Sequence, residues 1–466
     1  MHPISELAQA LEGITVEDNP RRVQMKSRDF YWYSPLLKER LGEVTGDLLV
    51  QPKSEAEVLR VLAECYSRDI PVTPRGAGTG NYGQAMPLAG GVVLDLAGMD
   101  RIVSLGDRAV VEPGVILHHL DQAARAEGRE LRMHPSTAET ATVGGFVGGG
   151  SAGVGSIRWG ALADPGNLLR LKVATMEAEP RLVELTGPEV NWAHHAYGVN
   201  GIITEIELPL APAPDWVDVL VGFDSWKEAV AAGWDISHQD GFLLRQVAAI
   251  QAPIPHDYFK RHQKFLRREQ SLVVLMVARE SMEPLVGHVG RLGGEVVYRA
   301  DTATEAEAKG LPAAYLLCWN HTTLRALRVD PSITYLQVGY EGADPLAQIA
   351  RIDALLGDET PGHIEFRRYR GGVLAAGLPL VRFRSAERLR EVMAIHEAEG
   401  CPNYSPHHYT IEEGGMKAID QAQLAFKRET DPKGLLNPGK MIGWEDPDFD
   451  FAAGRDYAFP GLQRAS

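Results

Sequence analysis

The feature that most constrains this chain is a glycine-rich stretch at residues 71–87, PVTPRGAGTGNYGQAMP. It follows a strand-like run and contains Gly76, Gly78, Gly80 and Gly83. Glycine adopts positive φ freely and lets a ligand approach the backbone closely. Successive N–H groups in such a loop can converge on phosphate oxygens. The stretch therefore predicts a phosphate-binding loop, with a flexible surface turn as the alternative.

This loop also matches the G-x-G-x-x-G pattern of nicotinamide-dependent enzymes at residues 78–83. That pattern requires a helix directly behind it, whose N-terminus meets the pyrophosphate. Here Pro87 and the glycine pair at 90–91 follow, and both disfavour a helix. An extended run at residues 92–96 comes next. We therefore predict that the loop does not belong to a Rossmann fold.

A second glycine-rich stretch lies at residues 144–160, GGFVGGGSAGVGSIRWG. It follows Pro135-Ser136-Thr137 and precedes a strand-like run at residues 169–175. A linker would explain only one of the two glycine-rich stretches. We therefore expect both stretches to flank the same ligand.

Composition limits the classes of protein to consider. A chain of 466 residues predicts two to three domains. Its formal net charge of −15 argues against nucleic acid as a partner, because nucleic-acid binders carry a basic surface. The acidic N-terminal region and the lack of long apolar runs predict no signal peptide, no membrane span and a cytoplasmic location. Three scattered cysteines predict neither a disulfide framework nor a zinc site.

Four segments of the sequence resemble one family of flavoproteins. The family is the vanillyl-alcohol-oxidase or PCMH-type FAD-binding family, in the branch of the glycolate oxidase subunit and D-lactate dehydrogenase. The segments, in this order, are PRGAGTG at 74–80, PSTAETATVGG at 135–145, GVNGIITEIEL at 198–208 and DPKGLLNPGK at 431–440.

The resemblance implies an α+β, two-domain PCMH-type fold. We expect an FAD-binding domain over residues 1–212 and a substrate (cap) domain over residues 213–414, built on a mixed sheet flanked by helices. Residues 415–466 would return to the FAD domain. The first boundary also rests on the chain-breaking Ala-Pro-Ala-Pro run at residues 211–214.

The resemblance also implies which residues hold FAD. Some relatives attach the flavin through a histidine in the first loop, where this chain has Thr79, or through a cysteine near the second motif, where it has none. FAD is therefore expected to bind without a covalent link. The residues implied are Pro74, Arg75, Gly76, Ala77, Gly78, Thr79, Gly80, Pro135, Ser136, Thr142, Gly144, Gly145, Ile203 and Asn437.

Oxidising a C–H bond beside a hydroxyl requires a base for the hydroxyl proton and a group that holds the rest of the substrate. Histidine suits the first task because its pKa lies near neutrality, and arginine suits a carboxylate because its fork matches two oxygens. Polar clusters at residues 318–323, behind a predicted strand at 314–317, and at residues 404–410 supply candidates. The candidates are Asn320, His321, His407, His408 and Tyr409, with a structural role as the alternative for each histidine.

A basic run at residues 367–370 supplies the candidate for carboxylate binding. If residues 364–369 form a strand, Arg368 and Arg370 share one face and Arg367 takes the other. We predict that Arg368 binds the carboxylate, with a solvated or salt-bridged surface as the alternative. No H-x-G-D-G-N-x-H segment is present, so we predict no metal site, with His407 and Glu412 as the alternative.

These features predict an FAD-dependent oxidoreductase. It would transfer hydride from the hydroxyl-bearing carbon of a 2-hydroxy acid to flavin N5. Two alternatives stay open. One is an alcohol or phenol oxidase with a tyrosine-rich, arginine-poor pocket, and the other is a non-catalytic flavin-binding subunit of a dehydrogenase complex. The predicted partner is a small-molecule substrate. An electron-accepting protein, a quinone and a homodimer stay open as further partners.

Overall fold

The computed structural model describes residues 3–369, 371–414, 417 and 419–450. Over these ranges, helices pack on a four-stranded, a six-stranded and a seven-stranded sheet, and a further two-stranded pair is present. The α+β class is therefore confirmed. No helix in the described ranges combines the length and the apolar character needed to cross a bilayer.

The strands divide among the sheets in chain order. The four-stranded sheet contains β1 (Thr15–Glu17), β2 (Leu48–Gln51), β3 (Val72–Arg75) and β4 (Val92–Asp95). The six-stranded sheet contains β5 (Ile102–Leu105), β6 (Arg108–Val111), β7 (Arg129–Leu131), β8 (Arg170–Ala174), β9 (Leu182–Thr186) and β10 (Ile202–Pro212). The remaining strands are β11 (Trp216–Phe223), β12 (Leu244–Ile250), β13 (Ser271–Ala278), β14 (Glu295–Ala300), β15 (Ile333–Tyr335), β16 (Val338–Tyr340), β17 (His363–Tyr369), β18 (Gly372–Gly377) and β19 (Leu380–Arg382); β15 and β19 form the two-stranded pair.

The helices lie between these strands. In the first half of the chain they are α1 (Pro3–Ala10), α2 (Pro20–Lys26), α3 (Pro35–Leu41), α4 (Glu55–Tyr66), α5 (Leu117–Ala126), α6 (Val143–Gly149), α7 (Ser156–Trp159) and α8 (Val190–Ala193). In the second half they are α9 (Trp226–Ser237), α10 (Ile254–Tyr258), α11 (Met282–Arg291), α12 (Ala303–Ala308), α13 (Asn320–Leu327), α14 (Pro345–Leu356), α15 (Ala386–Ala398), α16 (Ile411–Gly414), α17 (Gln421–Thr430) and α18 (Ile442–Glu445).

The first glycine loop, defined here as residues 74–83, begins in the last two residues of β3 in the four-stranded sheet. The chain reaches the parallel strand β4 without forming a helix in between. The sequence argument against a Rossmann fold is therefore confirmed. The closing motif of the chain lies against the same strand. The Val72 N–H donates to the Leu435 carbonyl, and the Asn437 N–H donates to the Val72 carbonyl.

The seven-stranded sheet runs in the order β14-β11-β13-β12-β17-β18-β16. Every pairing in it is antiparallel, whereas we expected a mixed sheet. The reason is that β13 lies between β11 and β12, the two strands joined by α9. The parallel pair that a β–α–β sequence predicts is thus split by a third strand.

One face of this sheet packs on helices, as expected for a sheet flanked by helices. Apolar residues of α9, α11, α14 and α15 form one core cluster with the strands. On β17, Ile364 and Phe366 point into that cluster. Alternation along the strand therefore turns Glu365 and Arg367 to the opposite face.

Two local expectations had different outcomes. The segment at residues 314–317 is a 3₁₀ turn rather than a strand, because the Ala314 N–H donates to the Asp218 carboxylate, 2.7 Å away, instead of to a neighbouring strand. The predicted boundary at residue 212 falls at the end of β10. The division into domains stays a prediction.

Candidate active site

A cavity lies between the two glycine-rich stretches and the face of the seven-stranded sheet that points away from α9, α11, α14 and α15. Its walls come from the first glycine loop, from the second glycine segment (residues 144–160) and from residues of β16, β17 and β18. The structure therefore brings together two backbone stretches that are distant in sequence, as we expected from their composition.

The first glycine loop is folded by Arg75. The guanidinium donates to the carbonyl oxygens of Lys26 at 2.5 Å, Arg28 at 2.9 Å and Ala77 at 2.9 Å. Gly78 has φ of 70°, and a Cβ there would lie 2.2 Å from Arg75 Nη2. The loop therefore needs glycine at this position, and the positive charge of Arg75 is engaged by backbone carbonyls.

The backbone amides of this loop are available to a ligand. In the described part of the chain, no atom accepts a hydrogen bond from the N–H groups of residues 77–80. Buried N–H groups are nearly always paired in proteins, whereas residues 77–80 are half-buried and line the cavity. Four consecutive unpaired donors in a glycine loop form a concave site for an anion.

The second glycine segment meets the first loop at Thr142. Its Oγ1 accepts from Gly145 N at 3.1 Å and so caps α6. A Cβ on Gly76 would lie 2.0 Å from the same oxygen, and a Cβ on Gly144 would lie 2.5 Å from Pro113. Gly76 can lie this close to Thr142, and Gly144 this close to Pro113, because neither glycine carries a side chain.

The residues predicted to hold the cofactor line this cavity, with one exception. Pro74 to Gly80, Pro135, Ser136, Thr142, Gly144, Gly145 and Ile203 are all part of its lining, whereas Asn437 is not. The Asn437 amide donates to the Gln84 carbonyl at 2.9 Å and to the Tyr197 carbonyl at 2.7 Å. It thus holds the backbone behind the cavity.

Two of the predicted catalytic residues, Asn320 and His321, line the cavity. They begin helix α13, directly after Trp319. Burial lowers the pKa of His321 to about 4, and the nearby Arg325 and Arg328 contribute to the lowering. His321 is therefore a neutral imidazole near pH 7. Its Nδ1 and the Asn320 Oδ1 are buried without a partner among the described residues.

His407 lies elsewhere and is held by structural hydrogen bonds. The Ser34 hydroxyl donates to its Nδ1 at 2.7 Å, and its Nε2–H donates to the Tyr335 carbonyl at 3.0 Å. Burial lowers its pKa to about 3. Because both nitrogens have partners, His407 has no free atom for a substrate or a metal ion. No group of His, Cys, Asp and Glu in the described ranges is arranged to hold a metal.

The other two candidates of the 404–410 cluster are also absent from the lining. His408 Nδ1 lies 3.3 Å from the Glu413 carboxylate on a partly exposed face. The Tyr409 ring packs against the Lys440 ammonium, 5.1 Å from the ring centroid. Neither side chain is placed to meet a ligand in the cavity.

The basic run on β17 puts a different arginine in the cavity from the one we selected. The Arg368 Nε donates to the Ile157 carbonyl at 3.2 Å, on the opposite side of the sheet. Arg367 lines the cavity and is only 6% exposed. No hydrogen bond or ion pair joins it to another described residue, although its guanidinium lies 5.2 Å from the Tyr369 ring.

In addition to Arg367, sequence reasoning missed several residues that line the cavity. Tyr82, Trp319, Gln337 and Tyr404 are among them. The Gln337 amide donates to the Tyr82 hydroxyl at 2.6 Å. The one available signal was proximity in sequence, because Trp319 and Tyr404 belong to the two polar clusters. Gln337 precedes a strand in a stretch with no motif.

Comparisons with known proteins identify the family that this chain resembles. Residues 46–183 match a family model described as an FAD binding domain. The chain is 30% identical over 449 residues to the D-lactate dehydrogenase of Archaeoglobus fulgidus, covering 88% of this chain and 94% of that protein. It is 33% identical over 207 residues to the glycolate oxidase subunit GlcD of Escherichia coli, a match to 41% of this chain and 40% of that protein's length. Among solved structures, p-cresol methylhydroxylase superposes with a TM-score of 0.68 at 15% identity, covering 96% of this chain and 98% of that chain.

The fold and the cavity are those of a PCMH-type FAD-binding protein. This chain belongs to that family, in the branch that contains glycolate oxidase subunits and D-lactate dehydrogenases.

The residues present fit the cofactor FAD. Unpaired amides at residues 77–80 suit a diphosphate, and the close approach at Gly76 and Gly144 leaves room for backbone but no side chain. Apolar side chains such as Ile203 and Leu96 line the same cavity and suit the ring systems. The first loop and the second glycine segment would therefore hold the pyrophosphate between them.

Proposed function

We propose that this protein binds FAD without a covalent link and oxidises a 2-hydroxy acid. The bound cofactor supplies the acceptor for hydride leaving the hydroxyl-bearing carbon. The observation that carries the proposal is Arg367, a buried arginine on the cavity wall with no acidic partner in the described structure. Glycolate and D-lactate, the compounds in the names of the two relatives, are both 2-hydroxy acids.

Arg367 would bind the substrate carboxylate. A buried charge is normally paired, and the planar guanidinium can donate two parallel hydrogen bonds to a carboxylate. Arg75, the other arginine of the lining, already donates to four backbone carbonyls. Arg367 is thus the arginine of the cavity lining that is free to receive an anion.

His321 would accept the hydroxyl proton. It lines the same cavity as Arg367, and its lowered pKa keeps it in the neutral form that can take a proton. The Asn320 and Gln337 side-chain oxygens are buried without a partner among the described residues. Either oxygen can accept a hydrogen bond from the substrate hydroxyl and so orient it.

A second candidate function is oxidation of a neutral alcohol or a phenol. It is favoured by the tyrosines in the lining, which include Tyr33, Tyr82, Tyr197 and Tyr404. The predicted mark of that alternative was a pocket rich in tyrosine and poor in arginine. The cavity meets the first half of that description, and Arg367 is the residue that opposes the second.

An anaerobic titration of the purified flavoprotein tests the proposal. Loss of the oxidised flavin absorbance near 450 nm is recorded with 2-hydroxy acids, with alcohols and with phenols. Bleaching by hydroxy acids supports the proposal. Bleaching by alcohols or phenols alone supports the second candidate, and no bleaching supports a non-catalytic flavin subunit.

The mode of FAD attachment has its own test. Acid precipitation of the holoprotein should release all of the yellow colour to the supernatant, since neither a cysteine nor a first-loop histidine is at hand. Colour that stays with the pellet would show a covalent link. Re-oxidation of the reduced protein by oxygen, by a soluble quinone and by a cytochrome would then rank the electron acceptors.

A further inference from the structure

The wall segment, residues 319–321, is held in an unusual backbone conformation. Trp319 has φ of 52° and ψ of −145°. A positive φ in a bulky residue costs free energy and persists only when the surrounding structure enforces it. All three residues of the segment line the cavity. Whatever enforces the Trp319 conformation therefore also sets where Asn320 and His321 lie.

Two buried side chains of the seven-stranded sheet hold this segment from behind. Glu365 on β17 and Gln246 on β12 are 0% and 2% exposed. The Trp319 backbone N–H donates to Glu365 Oε1 at 2.6 Å, and the Trp319 indole N–H donates to Gln246 Oε1 at 3.0 Å. The Gln246 amide in turn donates to Glu365 Oε2. One residue of the wall is thus tied at both its backbone and its ring.

A histidine completes the network. His363 is 0% exposed and its Nε2 lies 2.8 Å from Glu365 Oε1. The Glu365 carboxylate therefore accepts from three donors: the Trp319 amide, the His363 ring and the Gln246 amide. Neither Glu365 nor Gln246 belongs to the cavity lining, so neither touches a ligand there.

We infer that Glu365 and Gln246 are positioning residues, which fix the wall segment and through it the orientation of Asn320 and His321 toward the substrate. This inference rests on the proposed function for its kinetic consequence, but the structural coupling stands apart from it. The pair would act by holding Trp319 in the strained conformation that the free chain disfavours.

The network has a polarity that makes the inference testable. In Glu365→Gln, the new amide group must face either the Gln246 amide or the Trp319 and His363 N–H donors, so two donors always oppose each other. Rotating Gln246 does not relieve this, because its amide would then face the indole N–H. In Gln246→Glu, two carboxylates oppose each other. An unpaired buried group of either kind is strongly unfavourable.

The double variant E365Q/Q246E restores the pattern. The new side-chain amide at position 365 would accept from Trp319 and His363 through its oxygen and would donate to the new carboxylate at position 246. That carboxylate would also accept from the indole N–H. All four hydrogen bonds return with the same shapes and the same net charge. A reciprocal exchange that rescues both single variants is not expected of two residues that act independently.

The experiment follows Trp319 directly in the FAD-loaded protein. The chain has eight tryptophans, and in protein labelled with 5-fluorotryptophan the Trp319 resonance is the ¹⁹F signal that Trp319→Phe removes. We expect E365Q to shift or split this signal and to slow flavin reduction by a 2-hydroxy acid about tenfold or more, since small misplacements of catalytic groups are costly. The exchanged double variant should return the signal and the rate to near wild type. Glu359→Gln, which loses an ion pair to Arg388 outside the cavity, is the matched control and should change neither.

Each outcome decides the inference. It is overturned if E365Q leaves both the signal and the rate at wild type, or if the double variant is no better than the worse single variant. Should E365Q fail to fold, a folded double variant with the wild-type signal supports it, and an unfolded double variant refutes it. If the signal follows the pattern while no hydroxy acid reduces the wild-type flavin, the positioning role stands and the proposed substrate class fails.

Discussion

Replacing Arg367 with methionine gives the sharpest test of how the cavity selects its substrate. Methionine keeps an unbranched side chain of similar reach but removes the guanidinium and its charge. Arg367 is 6% exposed and has no acidic partner among the described residues. The change should therefore remove an interaction with the substrate and leave the protein's own hydrogen bonds intact.

The size of the effect follows from the burial of the site. Hydrogen bonds to charged groups contribute about 1.5–3 kcal/mol each, and losing one partner of a buried, hydrogen-bonded charge pair costs about 2–5 kcal/mol. Since about 1.4 kcal/mol corresponds to a tenfold change, we expect kcat/KM for a 2-hydroxy acid to fall by about 30- to 3000-fold. Screening by water is weak at a site this buried, so the upper half of that range applies.

The assay is anaerobic stopped-flow reduction of the flavin over a range of substrate concentrations. Arg368→Met is the matched control, because the Arg368 guanidinium donates to the Ile157 carbonyl on the other side of the sheet. That variant should stay within about threefold of wild type, as is usual for changes away from the site. A diol that replaces the carboxylate by a hydroxymethyl group should lose little on Arg367→Met. Equal losses in the two variants, or equal losses for acid and diol, would refute the assignment of Arg367.

Three further predictions concern the cofactor, the base and stability. Gly78→Ala should lose most of its bound FAD, because the new Cβ would lie 2.2 Å from Arg75 at a φ of 70°. In the control Gly106→Ala the new Cβ meets nothing within 4 Å, so FAD should stay bound. The flavin-to-protein absorbance ratio measures the occupancy, and full occupancy in Gly78→Ala would contradict the prediction. Burial lowers the pKa of His321 to about 4, so kcat/KM should stay level from pH 8 to about pH 5 and fall below that. His321→Gln should lower the rate at pH 7 by about 10²- to 10⁴-fold. A fall of kcat/KM near the ordinary histidine pKa would contradict the assignment of His321 as the base. Burial also lowers the pKa of His262 to about 4, so the unfolded chain binds an extra proton below its own histidine pKa and the free energy of unfolding decreases as the pH is lowered. His262→Phe should remove about 1.4 kcal/mol per pH unit of that slope between roughly pH 6.5 and 4, measured by urea unfolding. An unchanged slope would show that His262 is not buried in its neutral form.

The cofactor half of the site could be predicted from the sequence because its requirements are local. A backbone that must meet a diphosphate without a Cβ in the way has to be written in glycine, and both glycine-rich stretches line the same cavity. Asn437 shows the limit of that reasoning. Its motif was recognised, but its contacts are with the backbone behind the cavity.

The part of the cavity that we propose binds the substrate was predicted less completely, because it depends on tertiary packing. Strand alternation correctly placed Arg367 and Arg368 on opposite faces of β17. The face that meets the cavity is decided by Ile364 and Phe366, which pack under helices that are distant in sequence. The sequence pattern alone contains no information on that choice.

The histidines illustrate the same point. His321, His407 and His408 all belong to polar clusters in the sequence, which does not distinguish them. Their different surroundings arise only when the chain folds. His407 fits between Ser34 and Tyr335, two residues far from it in sequence. His321 lines the cavity because the preceding 3₁₀ turn and the strained Trp319 direct it there.

The central claim is that one cavity holds FAD and an anionic hydroxy acid together. A single-turnover experiment tests it most directly: anaerobic flavoprotein is mixed with D-lactate or with 1,2-propanediol of matching configuration, and the absorbance near 450 nm is followed. The account predicts that D-lactate, the shortest chiral 2-hydroxy acid, bleaches the flavin in one turnover and that the diol, which lacks the carboxylate, does so far more slowly. Equal rates for the two compounds would contradict it.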